Sequence, residues 1–446
     1  MKKLHRISAF LLCFVMLVTL MAGCGSASSS APAAGPSASA GPADASEPAG
    51  ADEDVKILHI SIAASEQEKK DYEECIARFE ASHPDFKVEA NWSSGGTWQE
   101  ICDKLIVQIA SGEAPDVIRV AVEGTRMFVH NDLFLPLNEY LENDETGKEL
   151  REQIPQAAWD SFTIDGNIYE IPSDANSIIL QYNPKMYADA NLAEPGDDYS
   201  WEQFVSDLQA LSHGEGDEKV YGTMIMPTFL WPWFYANGVS PLNDDWTGSN
   251  LSDPKIKETL QNLHDLIYKY GVAPVPEAND DVGNMFAAGR TATICMGMFM
   301  VATYEANGFA DFDAAVMPRG ANGGQGCFGI GGVGVTANCK YPQAAYELCC
   351  EFAAAEVSAR QAKTGTSVPL RSAEAQSEDF LVHAPHISRF YEEIENGAVL
   401  PAPDNYSEMS TIIATMGTNI LTNAMDIDEA IALADKELTE SFKNLG

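Results

Sequence analysis

The chain has 446 residues, 45% of them hydrophobic, and carries 66 acidic side chains against 27 basic ones, a formal net charge of −39. That length suffices for two or three domains with substantial cores. A surface so negative repels phosphate backbones and anionic headgroups, which excludes nucleic acid and polybasic-type membrane contact.

At the start, Lys2, Lys3 and Arg6 precede an apolar run from Ile7 to Met21, shorter than the ~20 residues of a comfortable membrane span. Ala22, Gly23 and Cys24 follow. A basic start, an apolar middle and a small-residue cleavage site spell a secretory signal over 1–23. The last four residues resemble a bacterial lipobox, with Met21 where leucine is usual. That resemblance implies cleavage before Cys24 and a diacylglycerol on its sulfur. Residues 24–54 are rich in Ser, Ala, Pro and Gly and hold nothing aromatic and no aliphatic larger than alanine. They cannot bury enough surface to order themselves, so a tether is expected.

The body begins with the β-branched, apolar run 55–64, a buried strand. Glu66 to Ser82 has helical spacing, with Tyr72, Ile76 and Phe79 near one face. Residues 87–92 read as a strand, and Trp98 to Ser111 as a helix carrying Ile101, Leu105, Ile106 and Ile109. Gly112 stops that helix before a strand at Val117 to Val122. This β-α-β-α-β rhythm predicts an α/β fold with a parallel sheet between helices. Further strands are expected at 171–183, 291–300 and 329–336. Helices are expected at Trp201–Leu211, Lys255–Tyr270, Tyr341–Ala355, 379–396 and 407–443. About 390 residues exceed one ordinary sheet domain, so two α/β lobes are predicted.

Several chemistries can be weighed by context. Gly329, Gly331 and Gly334 spell G-x-G-x-x-G, the dinucleotide fingerprint, but a loop precedes them and strand follows them. The fingerprint needs a strand before and a helix at once after, so these glycines belong to a strand that runs close to another surface. Residues 243–254 imitate a calcium loop at Asn243, Asp245, Thr247 and Gly248, yet Pro254 stands where a bidentate Glu is required. The segment reads as a turn, with Ser252 or Asp253 capping a helix and Pro254 at its first position. His383 and His386 lack an accompanying carboxylate motif, and no metal or cofactor is expected. Nine cysteines include Cys13 in the signal and Cys24. The remaining seven follow no C-x-x-C pattern and read as buried free thiols. Residues 227–238 concentrate Phe229, Trp231, Trp233, Phe234 and Tyr235; one or two of these are expected to face a cleft, since flat rings make platforms for sugars.

The order of the segments then resembles the extracellular solute-binding proteins, family 1, of bacterial ABC importers. The likeness spans the mature chain. It rests on FEASHPDFKVEANW (79–92), KLIVQIASGEAPDVIRV (104–120), LFLPL (133–137) and IDGNIYEIPSDANSIILQYNPKMY (164–187). YSWEQF (199–204), FAAGRTATICMGMF (286–299), the Gly329–Val335 strand followed by Tyr341–Ala345, and GTSVPLR (365–371) continue it. The resemblance implies a two-lobed, type II periplasmic-binding-protein-like fold with an interlobe cleft and hinge crossings. Lobe one would hold 55–172 plus 292–342, and lobe two 178–288 plus 345–440. It implies ligand contacts from Ser65, Glu66, Glu123, Asp174, Asn176, Thr228, Trp231, Phe299, Asn405 and Tyr406, with Phe299 standing where a stacking Trp is usual. Glu170, at a position usually glycine, reads as a surface change. The implied function is a lipid-anchored receptor on the outer face of the cytoplasmic membrane. It would be a monomer that captures a small solute, a sugar above all, passes it to ABC permease subunits and catalyses nothing. A secreted glycoside-acting enzyme is the alternative, as is a binder of a polyamine, peptide or phosphate ester.

Overall fold

The computed structural model describes residues 55–445 apart from 65, 94–97, 278–280 and 322, and leaves aside the side chains of Glu66, Gln67, Gln99 and Asp217. The signal, Cys24, the tether and Ser65 therefore lie outside the described residues. Among the described residues no helix is long and apolar enough to cross a membrane.

The strands are β1 (Lys56–Ala63), β2 (Phe86–Ser93), β3 (Val117–Ala121), β4 (Thr163–Ile164), β5 (Asn167–Ile168), β6 (Glu170–Tyr182), β7 (Tyr221–Met224), β8 (Thr291–Gly297), β9 (Asp313–Ala315), β10 (Cys327–Val335) and β11 (Ala398–Val399). The first helices are α1 (Glu66–Ser82), α2 (Trp98–Ala110) and α3 (Val122–His130). Nine strands share one sheet, with the path β2-β1-β3-β10-β6-β8-β7; β9 pairs with β6 and β11 with β10. β1 runs parallel to β2 and β3, as the alternating helices require. β10 returns antiparallel to both β3 and β6. β7 and β8 are parallel again at the far end.

The apolar spacing of the sequence becomes two large cores. Ile60, Ile62, Tyr72, Phe79, Trp159 and Ile171 belong to the first. Tyr187, Phe204, Trp233, Leu260 and Leu266 belong to the second. β6, β8 and β10 serve both: Ile179, Ile294 and Phe328 face the first, whereas Leu180, Cys295 and Cys327 face the second. From Ala344 to Ala402 the buried apolar side chains fall in the first core, and from Met409 to Leu438 in the second. The expected grouping of 345–440 with the second lobe meets this partition only from Met409 onward.

Three expected elements are shorter or broken. The 291–300 strand ends at Gly297 and turns into a 3₁₀ helix, Met298–Met300. The 379–396 helix is two pieces, Glu378–Leu381 and Arg389–Asn396; Pro385 between them can neither donate to a helix nor fit inside one. The 407–443 helix parts at 422–426, where Asn423 takes φ 56° and Asp426 caps the second piece. Asp253 does cap its helix, accepting from Lys255 N–H, with Pro254 in the first turn. All seven thiols described are free. Six are buried and Cys339 is half-buried.

The glycine-rich strand is β10. A Cβ at Gly331 would fall 2.7 Å from Asp174 Oδ2, and one at Gly332 would fall 2.8 Å from the Phe162 ring. Small residues let β10 lie flat beneath side chains of β6 and its neighbours, which is a packing need and not phosphate binding.

Candidate functional site

β3 carries an arginine in an otherwise apolar strand, VIRVA, and Arg119 is only 2% exposed. A charge so deep must be paired. Its Nη2 donates to Asp174 Oδ2 at 2.6 Å and its Nη1 to the Ala63 carbonyl at 2.5 Å. The guanidinium also lies over the rings of Tyr72 and Trp98, 5.2 and 5.5 Å from their centroids. Arg119 thus ties the end of β1 to β6. Ser173 Oγ completes the Asp174 contacts at 3.0 Å.

Two residues on, Asn176 faces the same side of β6 as Asp174. Its Oδ1 accepts the Phe299 N–H at 3.1 Å, from the 3₁₀ turn that follows β8. Phe299 itself is 40% exposed, a large ring left open beside a polar strand. Gly297 makes room for it, since a Cβ there would meet the ring at 2.4 Å. Asp174, Asn176 and Phe299 are therefore brought together.

Glu123 sits in the first turn of α3, straight after β3. Burial pushes its carboxyl up from an ordinary 4.5 to about 7, and the negative charge of Asp174 adds to the effect. Its Oε2 is buried and accepts no hydrogen bond. Tyr406, which opens the helix Tyr406–Leu421, packs against both cores, and its hydroxyl is raised by burial and then by the charge of Glu123. The charge of Glu123 thus reaches Tyr406, a residue that packs against both cores.

Trp246 also packs against both cores. Arg126, three residues after Glu123 and on the same helix face, stacks on it at 4.8 Å. The sequence reading missed Arg119, Trp98, Arg126 and Trp246. The lone arginine inside VIRVA was the available signal for the first.

The other expected residues have other surroundings. Trp231 is buried in the second core beside Trp233, Phe234 and Tyr235, so this aromatic run is mainly wall. Thr228 is exposed in a turn. Asn405 is buried and donates to Ser441 Oγ at 2.7 Å, which makes it a brace for the last helix. Glu66 begins α1 directly after β1, and Ser65 is outside the described residues. Glu170, expected at the surface, is fully buried. It accepts from Thr125 Oγ1 at 2.6 Å, and burial raises its carboxyl well above the usual range. It therefore belongs to the support under α3.

Residues 74–387 match the family described as bacterial extracellular solute-binding protein. The fold matches an ABC substrate-binding protein of Listeria monocytogenes in complex with cycloalternan at a TM-score of 0.76, with 20% identity over 87% of this chain and all of that one. It matches the sugar-binding protein MalE of Xanthomonas citri at the same TM-score, with 17% identity over 87% of this chain and 98% of that one. The architecture is the type II periplasmic-binding-protein fold. In sequence, an uncharacterized lipoprotein of Streptomyces antibioticus is 28% identical over 195 residues, 43% of this chain and 37% of its own length.

Proposed function

The chain belongs to the bacterial extracellular solute-binding proteins, and from that premise we propose that it captures a carbohydrate in the cleft between two lobes and delivers it to an ABC permease. Lobe one would hold 55–172 and 292–342 with the helices packed on them up to residue 402. Lobe two would hold 178–288 and the helices from Tyr406 on. The carrying observation is Glu123: a carboxyl at a strand-to-helix junction, with one oxygen buried and unused and its charge felt by Tyr406. A sugar offers hydroxyl donors for such an oxygen and a flat apolar face for a ring. Asp174 and Asn176 would add acceptors, and Phe299 and Trp246 would add ring faces. Arg119 would act by positioning Asp174. Glu66, at the start of α1, would border the same cleft.

The relatives named above support this reading: two of them are named or titled for sugar binding or a bound saccharide. The third is named a lipoprotein, which agrees with a lipid on Cys24 and a place on the outer membrane face. No catalytic role is assigned to Asp174, which is engaged by Arg119 and Ser173.

A thermal-shift and calorimetric screen of mono- and oligosaccharides, with polyamines, peptides and phosphate esters as further arms, tests the proposal. A stabilising sugar recovered unchanged, and lost from Glu123→Ala, supports it. Hydrolysis of that sugar would turn the reading to an enzyme, and stabilisation by a polyamine alone would turn it to a cation receptor.

A further inference from the structure

A second constellation lies at the far end of β6. Tyr182 stands eight residues beyond Asp174, so about 26 Å away along the strand. There Glu194, Asp313 and His386 bring one ligand atom each within 4.8 Å of one another. They come from three separate stretches of chain: the loop after the helix Pro184–Asp189, strand β9, and the loop before the helix Arg389–Asn396.

Asp313 is the fixed point. Its side chain is 2% exposed. Oδ1 accepts two backbone N–H groups, from Ala314 and His386, both at 2.8 Å. Those bonds aim Oδ2 at Tyr182 Oη, 3.1 Å away, and at His386 Nδ1, 2.7 Å away. Among the described residues no lysine or arginine pairs with Asp313. The nearest source of positive charge is whatever sits at His386 Nδ1. A buried carboxylate calls for a positive partner, and the surroundings of Asp313 can supply a proton or a metal ion. Glu194 is exposed; burial and then the negative charges of Asp313 and Glu194 raise the Tyr182 hydroxyl.

We propose that Glu194, Asp313 and His386 form a binding site for one divalent transition-metal ion, best matched by zinc. One imidazole nitrogen and two carboxylate oxygens are zinc's ordinary donors, and the half-exposed side would leave water as a fourth ligand. The histidine disfavours calcium and magnesium, which take oxygen donors. Zinc bonds of about 2.0–2.2 Å in tetrahedral geometry put two ligand atoms roughly 3.3 Å apart, so Nδ1 and Oδ2 would have to part from their present 2.7 Å contact. His386 would bind as a neutral imidazole with its proton on Nε2. The two backbone donors and Tyr182 hold Asp313 from behind, as outer partners of metal ligands do.

The site spans the seam. Ala384 and Ile387 belong to the first core, while Ala190 and Leu192 pack against the second. Arg389 already bridges to Asp197 here at 2.9 Å. A metal would be a further tie between the same two loops, independent of any sugar in the cleft.

The test titrates chelator-stripped, full-length chain with zinc chloride, by calorimetry and by competition with a fluorescent zinc chelator, followed by thermal melting. One zinc per chain and a raised melting temperature are expected, with little response to calcium. His386→Ala and Glu194→Gln, both at exposed positions, should each weaken binding more than tenfold. Tyr182→Phe should weaken it less, and His59→Ala should leave it unchanged. Zinc binding of equal affinity in His386→Ala and Glu194→Gln, or no binding tighter than about 100 µM in the parent chain, would overturn the proposal.

Discussion

The two cores approach their common seam with different chemistry. The first brings charge: Arg119 and Asp174 as a buried pair, Glu123 with a raised carboxyl, and Arg126 on its ring partner. The second brings rings and neutral hydroxyls. Trp231, Trp233 and Phe204 pack together, and Tyr187 and Tyr199 pass a hydrogen-bond chain to Asp207. In the proposed function, polar recognition would therefore be concentrated on one side, with the other side as a stiff wall. Buried charge is costly unless its partners are complete, so the charged side is also where a single substitution should do the most harm.

The comparison is broken or sharpened by graded substitutions. The largest effect belongs to Arg119→Ala, which strands Asp174 without its countercharge; about 3–5 kcal/mol of unfolding free energy should be lost in denaturant titration. Glu123→Ala should lower affinity for the sugar found by screening by about ten- to a hundredfold, the size of a charged hydrogen bond, with little loss of stability. If Trp231→Ala on the wall side costs more affinity than Glu123→Ala, the division of labour fails. Phe299→Ala should cost less, roughly two- to tenfold in calorimetry, as one stacking contact does.

The smallest effect is a pH dependence. Glu123 binds its proton more tightly folded than unfolded, so between pH 4.5 and about 7 the folded state holds the extra proton. Its contribution to stability is therefore full below about 4.5 and declines as pH rises towards 7. Glu170, raised by the same burial, acts in the same direction. Glu123→Gln should flatten part of this slope in melting curves taken from pH 4.5 to 7; an unchanged slope would mean that Glu123 is solvated in the folded protein.

Much of the fold was legible because its signals are local. The 55–64 run, the helix ended by Gly112 and the Pro254 start each declare themselves within a few residues. The glycines of β10 were legible once their neighbours were read as strand. Asp174, Asn176 and Phe299 were proposed through the family resemblance, and a hydrogen bond joins the last two. Arg126 and Trp246 were not, since their contact joins segments 120 residues apart and nothing near either residue announces the other. Glu170 misled for a related reason: its burial is set by Thr125 and by β10, both distant in sequence. His386 had no carboxylate nearby in the chain; Asp313 and Glu194 reach it only through the fold.

The state of the thiols has a practical side. Cys75 is pushed up to about 11 by burial, and Cys339 and Cys350 to about 12, so almost none of them is thiolate at neutral pH. Maleimide dyes should therefore pass over the native cysteines. A single new cysteine at an exposed position such as Val382 would take up a fluorophore alone. With Cys13 and Cys24 left out or acylated, the body of the protein is in this sense already a chassis for an optical sensor, because none of its seven described cysteines needs removal.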